Sequence, residues 1–452
     1  MKINLEVMTN KGTKPWLPQT SAPDVTFYNA NLIDVEYGTV IPNTIVRISN
    51  GRIAGVWTGT QRDVPVGSNA VDLQGQYICP GLIDCHVHMI ATPGSFSLKD
   101  LFAASPTTIA YRTAYNARQM LLRGFTTARD TGGADAALRD AIAEGLVIGP
   151  RLFIAGKALS QTGGHGDSRP SYESDHKCCG GHSPTLSRVC NGVPECLAAV
   201  RDELRQGANF IKIMGGGGVA SPSDTLNMIQ FTAEEIRAIT TTAKQSKTYV
   251  TAHAYTIEAI RHVVDNGVLG IEHGNFIDEE TALYCKERGV TFTPTLVTYQ
   301  GMTEPPFDQF LDEDGQRKNR EVLAGGLGAL RILSKVGARI CFGSDLLGGL
   351  HSLQSREFSI RSSVLTPKEI LQSATINAAR LLGKEDELGC IKKGSIADIL
   401  ILKSNPLQDI TILDHIQNSL VAILKDGRVV FKNSNWLSVD PIYDPCHIQG
   451  SH

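Results

Sequence analysis

Pro80-Gly81-Leu82-Ile83-Asp84-Cys85-His86-Val87-His88 is an apolar run that ends in two histidines one residue apart. In an extended strand, residues i and i+2 point to the same face. His86 and His88 can therefore reach one metal ion from a single strand end. A plainer reading is a strand that simply finishes in two polar residues. Partners of the right chemistry further along the chain decide between the two.

Downstream, strands alternate with helices. Expected strands are Leu82–His86, Phe125–Asp130, Arg151–Gly156, Phe210–Met214, Tyr249–His253, Leu269–His273, Thr291–Leu296 and Arg339–Asp345. Helical patterns lie between them, such as Pro194–Arg205 and the segment opened by the capping box Thr232-Ala233-Glu234-Glu235. Eight strands alternating with helices predict an α/β fold, a parallel sheet closed as a (β/α)8 TIM barrel, with a doubly wound open sheet as the alternative. The stretch from about Gln161 to Gly192 shows no period and reads as a long loop.

In a parallel barrel every strand ends at one rim, where active sites form. The first strand ends in His86 and His88, the fourth carries Lys212, the fifth ends in His253, the sixth in His273 and the eighth in Asp345. Taken singly, His253 and His273 read as satisfied rim histidines and Asp345 as a cap. Lys212 sits between Ile211 and Ile213, so its ammonium turns away from them toward the interior rim, where a bare charge is costly. A buried lysine loses pKa and gains nucleophilicity, which suits a Schiff base or a carbamate formed with carbon dioxide. Four histidines and a carboxylate beside it favour the carbamate, an anionic oxygen ligand between two divalent ions. The run Gly215–Gly218 follows a strand but lacks the flanking residues of a phosphate loop, and reads as a close-packed turn.

Both chain ends are rich in short strands. Asn50-Gly51 joins two alternating runs and Asp426-Gly427 joins two more, the strongest short hairpin signal. One small β-sandwich domain assembled from residues 24–80 and 386–434 is expected around a barrel at 81–385, with an N-terminal arm at 1–23 and a C-terminal tail at 435–452. Forty-three basic against 46 acidic residues leave no basic stripe for nucleic acid, and no apolar run approaches a membrane span. Met1-Lys2-Ile3-Asn4-Leu5 opens no signal peptide, so the expectation is cytoplasmic, or secreted if a leader has been removed. Cys79, Cys85, Cys285 and Cys341 read as small buried hydrophobes. Cys178, Cys179, Cys190 and Cys196 cluster with His176 and His182, and a loop disulfide, a metal site and free thiols all stay open.

His86-Val87-His88, Lys212, His253, His273 and Asp345 in this strand order resemble the binuclear amidohydrolase superfamily. So do the Pro80–Asp84 lead-in, Ala374–Gly383 and Gly394–Asp398. Gly124–Asp130, Gly163-Gly164-His165-Gly166-Asp167 and His253-Ala254-Tyr255 are similar to its Xaa-Pro dipeptidases, carboxypeptidase-like members and ochratoxinases. The resemblance implies cleavage of an amide to a C-terminal amino acid, with a small-molecule amide or dipeptide as partner and a homo-oligomer up to an octamer. It implies two divalent ions, expected to be zinc, and an N6-carboxylated Lys212 bridging them. His86, His88 and Asp345 would hold one ion, and His253 and His273 the other. A hydroxide shared by the ions would attack, with Asp345 moving its proton. Tyr255 or His165 would hold the oxyanion, and Arg129 would either meet a substrate carboxylate or serve a structural role with Asp130. A lactonase or phosphotriesterase on the same ligands is the alternative. A mononuclear deaminase is disfavoured by Lys212, and a non-catalytic assembly protein by the complete ligand set.

Overall fold

The computed structural model describes residues 21–443 except 96, 99, 102, 170–184 and 222–223, together with Lys14 and Trp16. Cys178, Cys179, His176 and His182 lie outside the described residues.

The two chain ends build one eight-stranded sheet. It contains β1 (Val25–Asp34), β2 (Thr39–Ser49), β3 (Arg52–Thr58), β4 (Ala70–Asp72) and β5 (Tyr77–Pro80) from the N-terminal side. The C-terminal side supplies β16 (Ile399–Leu402), β17 (Leu420–Lys425) and β18 (Arg428–Lys432). The seam is the antiparallel pair of β5 and β16, with Cys79 opposite Leu400. Both expected hairpins are present. Asn50 and Gly51 take φ of 51° and 76°, and Asp426 and Gly427 take 51° and 73°, the left-handed pair that matches strand twist. The two turns pack on each other. A Cβ on Gly427 would lie 2.8 Å from the Gly51 Cα, so this approach needs glycine as well as a positive φ. Phe27, Val46, Ile48, Ile78, Ile399, Ile401 and Leu424 form the core of this unit.

Between the two halves runs the parallel part of the chain. β6 (Leu82–Val87), β7 (Phe125–Asp130) and β8 (Arg151–Ile154) pair in order as one parallel sheet. A second parallel sheet has the order β10 (Ser187–Val189), β9 (Ala158–Ser160), β11 (Ile211–Met214), β12 (Val250–Ala254), β13 (Gly270–His273), β14 (Thr291–Thr293) and β15 (Arg339–Ile340). Hydrogen bonds join the two at both edges. The Asn209 N–H donates to Ile154 O at 2.7 Å, the Cys85 N–H to Phe342 O at 2.8 Å, and the Asp345 N–H to His86 O at 2.8 Å. Helices fill the connections, and the capping box at Thr232 and Glu235 opens the helix Ala233–Gln245 as expected. Ile213, Ala252, Ile271 and Phe292 lie in the core the strands share with the helices.

Four expectations change in detail. The seventh strand ends at Thr293, short of the expected Leu296, which instead opens the helix Leu296–Gly301. The third strand stops at Ile154, Gly156 turns with a φ of 69°, and β9 follows at Ala158. The aperiodic stretch contains β10, whose three residues pair in parallel with β9 and are too few to show a period. The eighth strand keeps ladder pairing only through Ile340; beyond it the chain is held by the Cys341 N–H to Phe292 O and the Asp345 N–H to His86 O, with Asp345 at a φ of 51°. Among the described residues, no helix is long and apolar enough to cross a membrane. Cys79, Cys85, Cys285 and Cys341 are fully buried, and Cys190 and Cys196 are free thiols whose Sγ atoms lie 3.8 Å apart.

Candidate metal centre

Parallel strands deliver side chains to one rim, and here the rim residues converge. A ligand atom from each of His86, His273 and Asp345 lies within 4.8 Å of the other two. His86 Nε2 is 3.3 Å from Asp345 Oδ1, and His88 Nε2 is 3.2 Å from the same oxygen. The His253 ring centroid is 4.7 Å from that of His273, which is 5.0 Å from that of His86. His273 and Asp345 both sit at positive φ, 73° and 51°. Such conformations cost energy in residues with a Cβ and cluster where side chains must be aimed.

The donor set fits divalent metal. Three histidines have Nδ1 held from outside: His86 by Glu272 Oε2 at 2.8 Å, His88 by Gly132 O at 2.8 Å, and His273 by Thr295 Oγ1 at 2.8 Å. Each is left with Nε2 facing inward, the arrangement in which an outer partner sets the ring orientation of a ligand. His253 is turned the other way, with Nε2 3.0 Å from Gly217 O, which leaves Nδ1. Imidazole and carboxylate donors at this spacing suit zinc or a similar ion.

Electrostatics agree with that use. Burial pushes the His253 and His273 rings well below the ordinary imidazole range, so both are neutral lone-pair donors. Burial would raise the Asp345 carboxyl, but His86, His88 and His273 more than reverse this and hold it well below the carboxylate range. Lys212 is 2% exposed, and burial pushes its ammonium down to about 8 against the opposing pull of Glu272 and Asp345. That places a neutral, nucleophilic amine within reach of neutral pH, as expected from its strand position.

Tyr255 lies beside the histidines, its ring centroid 4.7 Å from that of His253. Its hydroxyl is 3.0 Å from the Tyr299 hydroxyl, which lies 2.9 Å from His273 Nδ1. His165 stacks on His253 with centroids 4.2 Å apart. His165, His253, Tyr255 and Asp345 line a cleft whose far wall is apolar, with Val219, Met302, Phe310, Leu311 and Leu347. A larger cavity of about 810 Å³, lined by residues such as Ile90, Ile109 and Arg188, contains none of these groups.

Arg129 requires a correction. Its guanidinium is fully buried and donates to Glu272 Oε1 at 2.6 Å, Cys85 O at 2.5 Å, Tyr249 OH at 3.2 Å and Thr293 Oγ1 at 3.3 Å. A substrate carboxylate cannot reach it. Its task is to neutralise Glu272, which in turn orients His86. Glu272 and Tyr299 are the residues that strand-end reasoning passed over. Glu272 was legible as a carboxylate next to a ligand histidine. Tyr299 gave no signal, since it lies on the short helix Leu296–Gly301 after its strand. The glycine run serves close approach. A Cβ on Gly217 would fall 1.8 Å from Thr225 O and one on Gly218 2.0 Å from His165 Cε1, so the chain itself fills the space a phosphate would need.

A parallel α/β sheet gathers histidines, a carboxylate and a buried lysine at its strand ends, a donor set that could hold a metal ion. The chain belongs to the Amidohydrolase family, whose signature matches residues 77–432, and to its ochratoxinase and Xaa-Pro dipeptidase branch. It is 28% identical over 442 residues to ochratoxinase from Aspergillus niger, covering 91% of this chain and 88% of that protein. A prolidase solved in complex with N-methylphosphonate-L-proline is 40% identical, with a TM-score of 0.86 over 91% of this chain and 100% of that one. A Xaa-Pro dipeptidase solved with methionine in its active site is 30% identical, with a TM-score of 0.81 over 91% and 100%.

Proposed function

We propose that the chain hydrolyses the amide bond to a C-terminal amino acid, as in an N-acyl amino acid, an ochratoxin-like amide or a Xaa-Pro dipeptide. The observation that carries this is the convergence of His86, His273 and Asp345 ligand atoms within 4.8 Å at parallel strand ends beside buried Lys212. The likeness to the proline-analogue-bound prolidase and to ochratoxinase supports the amide class. The centre sits on a (β/α)8 barrel at 81–385, with a β-sandwich domain from 24–80 and 386–434, in a homo-oligomer.

His86, His88 and Asp345 would hold one zinc ion, and His253 and His273 a second, with N6-carboxylated Lys212 between them. Bound there, two such ions supply water activated at neutral pH and polarise the scissile carbonyl. Asp345 takes the proton released on attack and returns it to the leaving amine. Tyr255 holds the developing oxyanion. Its hydroxyl accepts from Tyr299, which accepts from His273 Nδ1, and this sequence leaves the Tyr255 proton free to donate into the cleft. The apolar wall of Met302, Phe310, Leu311 and Leu347 excludes water and receives an apolar side chain.

The test is hydrolysis of N-acyl-phenylalanine and Xaa-proline substrates by zinc-loaded protein, with lactones and phosphotriesters alongside. Turnover confined to the lactones or phosphotriesters would move the centre to another hydrolase class. Lys212→Ala should abolish turnover and lower bound metal, with partial rescue by small carboxylic acids. Two metals and full activity in that variant would end the carbamate assignment.

A further inference from the structure

Among the described cysteines, one pair stands apart. Cys190 follows β10, and Cys196 lies near the start of the helix Gly192–Arg205. Their Sγ atoms are 3.8 Å apart, with the Cys196 S–H donating to Cys190. A disulfide bond is about 2.05 Å long, so joining the two takes a movement smaller than a sulfur atom. The turn that carries them is held from outside. The Cys190 N–H donates to Ser160 O at 2.9 Å. Asn191, between the two cysteines, accepts the Thr162 N–H on Oδ1 at 3.0 Å and donates from Nδ2 to Thr162 Oγ1 at 2.9 Å. Arg188 donates from β10 to Asp202 Oδ2 at 2.7 Å and Glu203 Oε1 at 3.4 Å on the same helix. Anchors on both sides, not the thiols themselves, bring the sulfurs together.

The two thiols differ in acidity. The bond from Cys196 and the Arg188 guanidinium draw Cys190 below the ordinary thiol range, against the effect of burial. Cys190 and burial push Cys196 above it. Elsewhere burial dominates, and it pushes Cys79 and Cys285 up to about 12. The thiolate is the form that attacks an oxidant. Cys190 therefore supplies the nucleophile, and Cys196 stands where a resolving thiol is needed.

We infer that Cys190 and Cys196 are a redox pair that a peroxide converts to a disulfide across the turn between β10 and the helix Gly192–Arg205. The Cys190 thiolate attacks one peroxide oxygen and the O–O bond breaks. Sulfur gives up two electrons and becomes a sulfenic acid, while the other oxygen leaves as hydroxide and takes up a proton. Cys196 then attacks the Cys190 sulfur, and its proton leaves with the sulfenic hydroxyl as water. Two thiols and one hydrogen peroxide give one disulfide and two waters. Both cysteines are buried, which calls for a small oxidant, and a peroxide is one. The product closes residues 190–196 into a ring. It fixes Asn191, and through it Thr162, at the entry to the Gly163–Asp167 loop whose His165 lines the cleft.

The test treats zinc-loaded protein with hydrogen peroxide and alkylates the remaining thiols after unfolding. Trypsin then releases Val189–Arg201, which carries both cysteines and no internal Lys or Arg. The expected peptide bears no alkyl group and is about 2 Da lighter than its dithiol form, the loss of two hydrogens, and a reductant reverses the change. Oxidation should raise the melting temperature, since a closed loop restricts the unfolded chain, and should not raise it in Cys196→Ser. In that variant dimedone should trap a sulfenic acid at Cys190. Two alkyl groups on Val189–Arg201 after peroxide overturn the inference. So does a bond from either cysteine to Cys178, Cys179 or a second chain. These readouts hold whether or not an amide is turned over.

Discussion

Lys212 offers the sharpest test of the site, because its burial makes a quantitative demand. Its ammonium is pushed from 10.5 to about 8, chiefly by desolvation. Only the neutral amine attacks carbon dioxide. At pH 7 a group of pKa 8 is about 9% neutral and one of 10.5 about 0.03%, so burial enriches the nucleophile roughly 300-fold. Because the pKa is lowered, the neutral form accumulates as pH rises through about 8 and is nearly complete one unit above it. At a fixed concentration of dissolved carbon dioxide, carbamate formation on metal-stripped protein should therefore climb about tenfold between pH 6 and pH 7 and flatten above pH 8.5 or so. The experiment exposes stripped protein in carbon-dioxide-free buffer to ¹³C-bicarbonate, then zinc, across that range. It follows the ¹³C carbamate resonance and zinc per chain. Burial keeps His253 and His273 neutral throughout, but against burial Asp345 raises His88, so the ¹³C carbamate resonance rather than zinc uptake carries the pH profile. Reloading that is equally fast without carbon dioxide would refute the reasoning. So would a carbamate signal that survives Lys212→Ala.

Arg129→Met should lower stability by roughly 3–5 kcal/mol, because it leaves Glu272 charged and buried; a normal melting temperature with a raised KM would instead restore the substrate-carboxylate role. Tyr299→Phe removes the bonds to Tyr255 and His273, and should reduce kcat/KM by about 10-fold with little change in melting temperature, the worth of one hydrogen bond of about 1–1.5 kcal/mol. Steady-state kinetics beside calorimetry check it, and unchanged kcat/KM would remove Tyr255 from the oxyanion role. Gly218→Ala places a Cβ 2.0 Å from His165 Cε1 and must expel the ring; turnover should fall while bound zinc per chain stays the same. Chelation should lower the melting temperature by an amount that grows as free zinc is withdrawn, as for any ligand that binds only the folded state, and a chelator-independent melting curve would count against a structural share for the metal.

What the sequence disclosed depended on periodicity. The strand and helix order and the two hairpins rest on local spacing, and the structure places them where that spacing implies. His86, His273 and Asp345 come together because parallel strands share a rim, a property of the pattern rather than of any pair. Boundaries were less legible where a bend replaces pairing. Nothing local to Arg339–Asp345 announces that Asp345 will take a left-handed φ and leave the ladder early.

Arg129, whose sequence left a substrate role and a structural one open, marks the limit of local spacing. Arg129 and Glu272 are 143 positions apart and His86 and Glu272 are 186 apart. No period connects them, because the contact is made only when β6 and β7 of one sheet face β13 of the other. An arginine at a strand end looks the same from the sequence whether it meets a substrate or a buried glutamate. Burial separates the two. A fully desolvated guanidinium without a carboxylate would carry a penalty of several kcal/mol, so finding it at 0% exposure already implies an internal partner. Metal ligands are chosen by residue type, and residue type is written in the chain. The protonation pattern that makes them work is set by outer partners, and those become visible only in the folded molecule.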